Sequence, residues 1–413
     1  MLIYNFVVRC YGLAISIASL RKHKAKLWVS GRKNWQNKLQ SDITKLNNSK
    51  RAWFHCASLG EFEQGKPLIE RFRKEYPDYN IILTFFSPSG YEVSKDYKYA
   101  DLIYYLPLDT PNNSRKFIEL TNPNIVFFIK YEFWLNYMSE LRRRSIRTFL
   151  ISAVFKPHHP FFRWYGNIFR ESLKVFEHMF LQDIDSLERV KNIGYGNISV
   201  CGDTRYDRVL EIKERAEKIE SIEAFKGDSK LIIAGSTWPK DAESILKAFK
   251  IVGTGDVKLI IAPHEIDSSS LEDLVQTLEK SELSYCLWTK SIDNNKKVLV
   301  LDTIGMLSKS YKYADITYIG GGYNEGIHNV LEPAVFCSPV IVYGNSFRRF
   351  VEAEALFNKK ALFNFEKDEE LVNILNNLIE NQTRTNEIRQ ILDQHFKSIK
   401  SATSIILGEI KNV

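Results

Sequence analysis

The stretch WFHCASLGEFEQGKPLIE, residues 53–70, begins as an apolar and aromatic run and turns at Ser58-Leu59-Gly60-Glu61. It then continues with the spacing of an amphipathic helix. A strand that turns sharply into a helix is half of a βα unit, and the chain repeats that pattern. Apolar runs that read as strands lie at 52–58, 80–87, 102–109, 124–130, 147–155, 178–183 and 198–203. A second series lies at 230–237, 257–264, 297–303, 316–322 and 338–344. Helical patterns separate most of them, which implies βα units and parallel sheets. A charged, helix-like connector, IKERAEKIESIEAF (212–225), follows a break near residue 210. The expected architecture is therefore α/β: two Rossmann-like halves of similar size facing a central cleft, with ligands at the carboxyl ends of the strands.

With 413 residues, two domains are the prior expectation. Five scattered cysteines without a CxxC pair argue against a disulfide framework or a zinc site and favour a reducing compartment. The net charge of +7 is confined to one end: residues 1–51 hold eleven Lys and Arg against one acid, Asp42. The remaining 46 basic and 49 acidic residues leave that part slightly acidic. A nucleic-acid binder more often spreads its basic face over a folded domain, so nucleic acid is not an expected partner. Residues 2–20 are mostly apolar with a single charge, Arg9, and are followed by Arg21, Lys22, Lys24 and Lys26. That order does not suit a cleaved signal peptide. It suits an anchor or interfacial helix with a basic collar on anionic headgroups, with spanning and surface-lying left open. A first core helix with a solvated basic turn is the plainer alternative.

The candidate chemistry sits at strand ends. Glu61 falls in the first turn of its helix, where a carboxylate is favoured by the helix dipole. It is either a helix-stabilising residue or a proton acceptor kept ionised by that field; position alone leaves the two readings equal. The run TYIGGGYNEGIHNVLEPAVFCSPVIVYG (317–344) carries Gly320-Gly321-Gly322, which would let backbone approach a ligand, and a helix start near Asn329 that carries Glu332. A glycine-rich loop feeding a helix can cradle phosphate, and a carboxylate one turn in can accept from ribose hydroxyls. A plain βα loop with structural glycines is the alternative. AGSTWPKDAE (234–243), PHE (263–265), DTIGML (302–307), KYEFW (130–134) and CGDTRYD (201–207) mark further strand ends. The histidines show no metal-ligand spacing, and no DxD-type pair stands out as a magnesium site.

In order and spacing these motifs resemble the 3-deoxy-D-manno-octulosonic acid (Kdo) transferases of lipopolysaccharide synthesis. The residues that carry the resemblance are Ser58-Leu59-Gly60-Glu61, Glu132-Phe133-Trp134, Ala234-Gly235-Ser236-Thr237 and Asp302-Thr303-Ile304-Gly305-Met306-Leu307. The strongest is Gly326-Ile327-His328-Asn329-Val330-Leu331-Glu332-Pro333-Ala334. The resemblance implies a GT-B fold, CMP-Kdo as donor and the lipid A precursor as acceptor at the cytoplasmic face of the inner membrane. It implies Glu61 as general base, Glu132 and Arg205 as transition-state support, and metal-independent inverting transfer without a cofactor. Donor contacts carry over to Pro263, His264, Ile304, Gly305, Met306, Asn329, Val330, Leu331 and Glu332. It departs at Ala262-Pro263-His264-Glu265, where the family has Pro-Arg-His-Pro: His264 either replaces the arginine or follows a loop one residue shorter. Arg205 stands where lysine is common, and Val330 where proline is usual. The expected segments are 1–26 (anchor or interfacial helix), 27–210 (acceptor domain), 211–385 (donor domain) and 386–413 (closing helix). Rival readings are another GT-B enzyme, a UDP-sugar transferase or epimerase, and a non-catalytic membrane-tethered nucleotide binder.

Overall fold

The computed structural model of the chain describes residues 1–47, 50–130, 132–324 and 326–412; Tyr131, inside the KYEFW segment, lies outside them. It divides into two compact units, residues 1–207 with 400–413, and residues 208–399. The boundary lies within the helix Arg205–Glu214.

The first unit is built on a parallel sheet of seven strands: β1 (Lys50–Cys56), β2 (Tyr79–Phe85), β3 (Leu102–Tyr105), β4 (Ile125–Ile129), β5 (Arg147–Ala153), β6 (His178–Leu181) and β7 (Ile198–Val200). Their order is β3-β2-β1-β4-β5-β6-β7, so the winding reverses between β1 and β4. The pairing of β1 with β4 runs from Ala52 opposite Ile125 to His55 opposite Phe128. Alternation along β1 sends Trp53 into one core layer and Ala52, Phe54 and Cys56 into the other. The helix after β1 (Leu59–Glu75) starts from Ser58 in an extended conformation. It buries Phe62, Gly65, Leu68, Ile69 and Phe72, a stripe at helical spacing. Gly65 permits close packing: a Cβ there would meet Cys56 Sγ at 3.0 Å and Ile129 Cγ1 at 3.2 Å.

The second unit repeats the design with β8 (Lys230–Thr237), β9 (Val257–Pro263), β10 (Tyr285–Leu287), β11 (Val298–Val300), β12 (Ile316–Ile319), β13 (Val340–Tyr343) and β14 (Leu362–Phe365). The order β10-β11-β9-β8-β12-β13-β14 places the reversal between β8 and β12. Twelve strands match the sequence-based expectation. The two edge strands β10 and β14 were not among those expected.

Two expected segments differ in detail. Residues 386–413 are not one closing helix. The helix Gln382–Ser398 belongs to the second unit and the helix Ala402–Asn412 to the first, separated where Ile399 is extended. Ala402, Ile406, Leu407 and Ile410 of the last helix are buried with Phe54, Phe72 and Phe127, completing a layer that the first 207 residues leave open. The 212–225 connector is broken at 215–219, between the helices Arg205–Glu214 and Glu220–Lys226.

At the N-terminus, α1 (Leu2–Ala18), α2 (His23–Gly31) and α3 (Trp35–Ile43) belong to the first unit. One side of α1 is tied down: Val8 is buried, Tyr4 Oη donates to Asp109 Oδ2 (2.6 Å), and Asn136 Nδ2 donates to Asn5 Oδ1 (2.9 Å). The other side leaves Leu2, Ile3, Phe6, Leu13 and Ile17 in solvent. Among the described residues no helix is long and apolar enough to cross a membrane.

Because Ile406 fills the layer against Phe54 and Phe127, Ile406→Ala should destabilise the first unit by about 2–5 kcal/mol. A urea denaturation midpoint equal to wild type would contradict that placement.

Candidate active site

In the first unit the chemistry-bearing side chains meet at the carboxyl ends of β1 and β4, the point of sheet reversal where doubly wound folds open a crevice. Glu61 is the third residue of the helix that follows β1, and its Oε2 accepts from the Ala57 N–H at 2.5 Å. The carboxylate thus satisfies an otherwise unpaired donor at the helix start. The stabilising role expected of Glu61 is present, and it does not preclude a second one.

Glu132 arrives from the segment after β4 and is also buried. Its Oε2 accepts from Trp134 Nε1 (2.5 Å) and lies 3.0 Å from His55 Nε2. His55, fully buried on β1, places Nδ1 2.8 Å from Thr84 Oγ1. Lys130, at the end of β4, holds a left-handed backbone (φ 69°), the kind of strained position found at functional sites.

Burial and the nearby Glu132 push the Glu61 pKa up to about 8, against the opposing pull of the Ala57 N–H and Lys130. The expectation that the helix terminus keeps Glu61 ionised at neutral pH is therefore corrected. Loss of solvation and a like charge outweigh a half-charge at a helix end.

Arg205 pairs with Asp203. Its Nε and Nη2 donate to Asp203 Oδ2 (2.9 and 2.6 Å), and its backbone N–H donates to Asp203 Oδ1. Asp203 in turn lies 3.4 Å from Nε2 of Gln64, one turn beyond Glu61 on the same helix face. Arg205 is thereby held on the flank of the helix that carries Glu61.

The second unit carries the other expected residues after four adjacent strands, β11, β9, β8 and β12. Pro263 ends β9 and lines a cavity of about 140 Å³ with Thr237, Trp238, Glu265 and Leu274. His264 is stacked between Trp238 (4.5 Å between ring centres) and His328 (4.3 Å), and Trp238 Nε1 donates to His328 Nε2 at 3.3 Å. Burial lowers both imidazole pKa values, that of His328 to about 4, so the stack is neutral at physiological pH. Asn329 caps the turn Leu331–Ala334 by accepting from the Leu331 N–H at 3.0 Å, and its amide donates to Glu332 Oε1 at 3.1 Å. Val330 and Leu331 are buried there. The expected helix at Asn329 is this single turn.

Ile304, Gly305 and Met306 lie apart from that cluster. Ile304 is 83% exposed, Gly305 takes φ 87°, and Met306 lines a separate cavity of about 430 Å³ with Arg208, Arg215 and Lys309. The glycine run needs a correction as well. A Cβ on Gly320 would strike Ser236 O at 2.3 Å, and one on Gly322 would strike Tyr343 O at 2.4 Å. These two glycines serve the packing of backbone on backbone.

Sequence reasoning passed over three residues. His55 reads as one polar residue inside an apolar strand, Trp238 as the residue after a cap, and Trp134 only as part of a motif. A third cavity, of about 440 Å³, lies in the first unit beside α1, lined by Arg9, Leu13, Trp28, Arg32, Lys33 and Trp35. Among the described residues no three of His, Cys, Asp and Glu gather to hold a metal ion.

A family model described as 3-Deoxy-D-manno-octulosonic-acid transferase (kdotransferase) matches residues 33–208. The 3-deoxy-D-manno-octulosonic acid transferase of Aquifex aeolicus is 29% identical over 347 residues, covering 81% of this chain and 88% of that protein. That of Haemophilus influenzae is 29% identical over 322 residues, 74% of each chain. A bifunctional glycosyltransferase/methyltransferase of Fusobacterium nucleatum is 24% identical over 412 residues, and the match spans 94% of this chain but only 62% of that protein. In fold the chain is similar to the UDP-GlcNAc 2-epimerase of Neisseria meningitidis (TM-score 0.60, 14% identity, 88% of this chain and 100% of that one). It is also similar to Acinetobacter baumannii MurG (TM-score 0.53, 12% identity, 88% and 100%). Two doubly wound units of seven parallel strands and these relatives identify the chain as a glycosyltransferase of the GT-B fold that is similar to the 3-deoxy-D-manno-octulosonic acid transferases.

Proposed function

We propose that the protein transfers Kdo from CMP-Kdo to a lipid A precursor, lipid IVA, at the cytoplasmic face of the inner membrane, with inversion and without a metal. The observation that carries this reading is the Glu61–Glu132 pair at the reversal of the first sheet, in a chain that aligns over 81% of its length with the Aquifex aeolicus transferase. Glu61 takes the proton of the acceptor hydroxyl. The oxygen attacks the anomeric carbon of Kdo from the face opposite CMP, and the departing phosphate oxygen keeps the bonding pair. Glu132 and Arg205 support the charge that develops. A base with a pKa near 8 suits this task, since proton transfer is most effective when the pKa lies near the working pH.

The residues Pro263, His264, Ile304 to Met306 and Asn329 to Glu332 take the donor, with Glu332 as an acceptor for ribose hydroxyls. The exposed apolar side of α1 lies in the headgroup region, with Arg21, Lys22, Lys24 and Lys26 on anionic lipid. The cavity beside α1 pairs Arg9 and Lys33 with Trp28 and Leu13, a lining that suits the phosphates and acyl chains of the acceptor.

Purified protein given CMP-Kdo, generated in place, and tetra-acylated lipid A precursor should form a Kdo-lipid; its absence beside active controls would overturn the reading. Glu61→Gln should keep CMP binding while transfer falls by about 10²–10⁴-fold. A variant near wild-type rate would remove Glu61 from the base role.

The pH profile follows from the same carboxylate. Only deprotonated Glu61 accepts a proton, so kcat/KM should rise with pH through about 8. Glu132→Gln removes a charge that raises the Glu61 pKa, so the rising limb should move to lower pH. A limb that stays in place would disconnect the two residues.

For the membrane reading, wild type should co-sediment with vesicles containing anionic phospholipid, less so at high salt. A variant with Leu2, Ile3 and Phe6 replaced by Ser should remain in the supernatant. Equal sedimentation of both would assign the attachment elsewhere.

A further inference from the structure

We propose that His55 is a positioning residue for the transfer reaction: as the neutral tautomer protonated on Nε2, it fixes the carboxylate of Glu132 beside Glu61. The inference rests on the proposed function for its catalytic consequence and on hydrogen-bond geometry for the tautomer.

The shorter contacts favour one direction of donation. Trp53 Nε1 donates to Thr84 Oγ1 at 2.8 Å. The threonine hydroxyl therefore spends one lone pair on Trp53 and has a single proton to give. Two acceptors are in reach, His55 Nδ1 at 2.8 Å and Phe54 O at 3.4 Å, and the shorter contact is the imidazole. Once Nδ1 accepts, the neutral ring carries its proton on Nε2. That nitrogen lies 3.0 Å from Glu132 Oε2, which also accepts from Trp134 Nε1 at 2.5 Å. Two N–H groups thus converge on one carboxylate oxygen. The opposite tautomer would donate from Nδ1 to Thr84 O at 3.2 Å and accept at Nε2 from Trp134 Nε1, also at 3.2 Å. It would, however, turn the Nε2 lone pair onto the carboxylate, and the indole N–H lies closer to Glu132 Oε2, at 2.5 Å.

The chain Trp53, Thr84, His55, Glu132 is buried over its length, where a satisfied polar network is rigid and a broken one is costly. Its terminal member is the residue whose charge acts on Glu61. The other groups that feel this pair are Cys56 on β1, Lys130 after β4 and Tyr4 on α1, all left intact by a change at Thr84.

The test uses the full chain with histidine labelled by ¹⁵N, the His55 resonances being those absent from His55→Gln. Wild type should show a protonated Nε2 and an unprotonated Nδ1. Thr84→Val, which removes the hydroxyl, should move the proton to Nδ1, and Thr84→Ser should restore it to Nε2. With CMP-Kdo and the acceptor, Thr84→Val should lose roughly 10-fold or more in kcat with the donor KM unchanged, and its rising pH limb should shift. A proton on Nδ1 in wild type, or protons on both nitrogens, would overturn the assignment even if Thr84→Val fails to fold. A tautomer change with unaltered kcat and pH profile would confine His55 to a structural role and overturn the positioning. Should no variant, wild type included, transfer Kdo, the functional reading falls, while the nitrogen spectra still decide the hydrogen-bond direction.

Discussion

Two carboxylates buried beside each other at the reversal of a parallel sheet set the terms for the first unit. Removing a carboxylate from water is expensive unless hydrogen bonds replace the solvent. Here each is supplied from the backbone or the core. Glu61 takes the Ala57 N–H at its own helix start, while Glu132 takes Trp134 and faces His55. Compensation is incomplete for Glu61, whose raised pKa records what burial and the like charge have cost. That residual proton affinity is what the proposed base role draws on.

The surrounding architecture serves this arrangement. Gly65 lets the helix that carries Glu61 pack tightly on β1 and β4. Phe86, next to the end of β2, lies 4.6 Å from the Trp134 ring, and Arg32 of the N-terminal region lies over both Trp28 and Phe86. Arg32 donates to the carbonyls of Trp28, Phe86 and Leu106, so a buried guanidinium ties the N-terminal helices to the sheet edge. Burial lowers its pKa to about 9, and cation–π contacts and carbonyls offset the lost water. The second unit uses an uncharged device at its own reversal, a Trp238–His264–His328 stack held neutral by burial.

Much of the fold is legible in the sequence because it is written in local periods. The two series of apolar runs separated by helical patterns specify βα units, and twelve of the fourteen strands among the described residues follow from them. Glu61 stands out through its place after a strand, and Glu132, Arg205 and the Asn329–Glu332 turn through motif order. His55 could not be read this way, since a lone polar residue in an apolar strand looks the same whether it packs or holds a carboxylate. The glycines at 320 and 322 were misread for a related reason: sequence shows that a side chain is absent, not what occupies its space. The last helix shows the same limit, because its apolar face does not say which unit it completes.

The sequence by itself determined the parallel α/β class, the two series of strands and the one-sided basic, apolar N-terminus. All of these depend on residues within a few positions of one another. Only the tertiary structure decided that β4 lies against β1, so that Glu132 comes to Glu61 and His55 to Glu132. It also reversed the expected sign of the Glu61 shift. Helix-end fields can be read from position, but proton affinity follows through-space distance and loss of solvent, and those exist only once the sheet has closed its order.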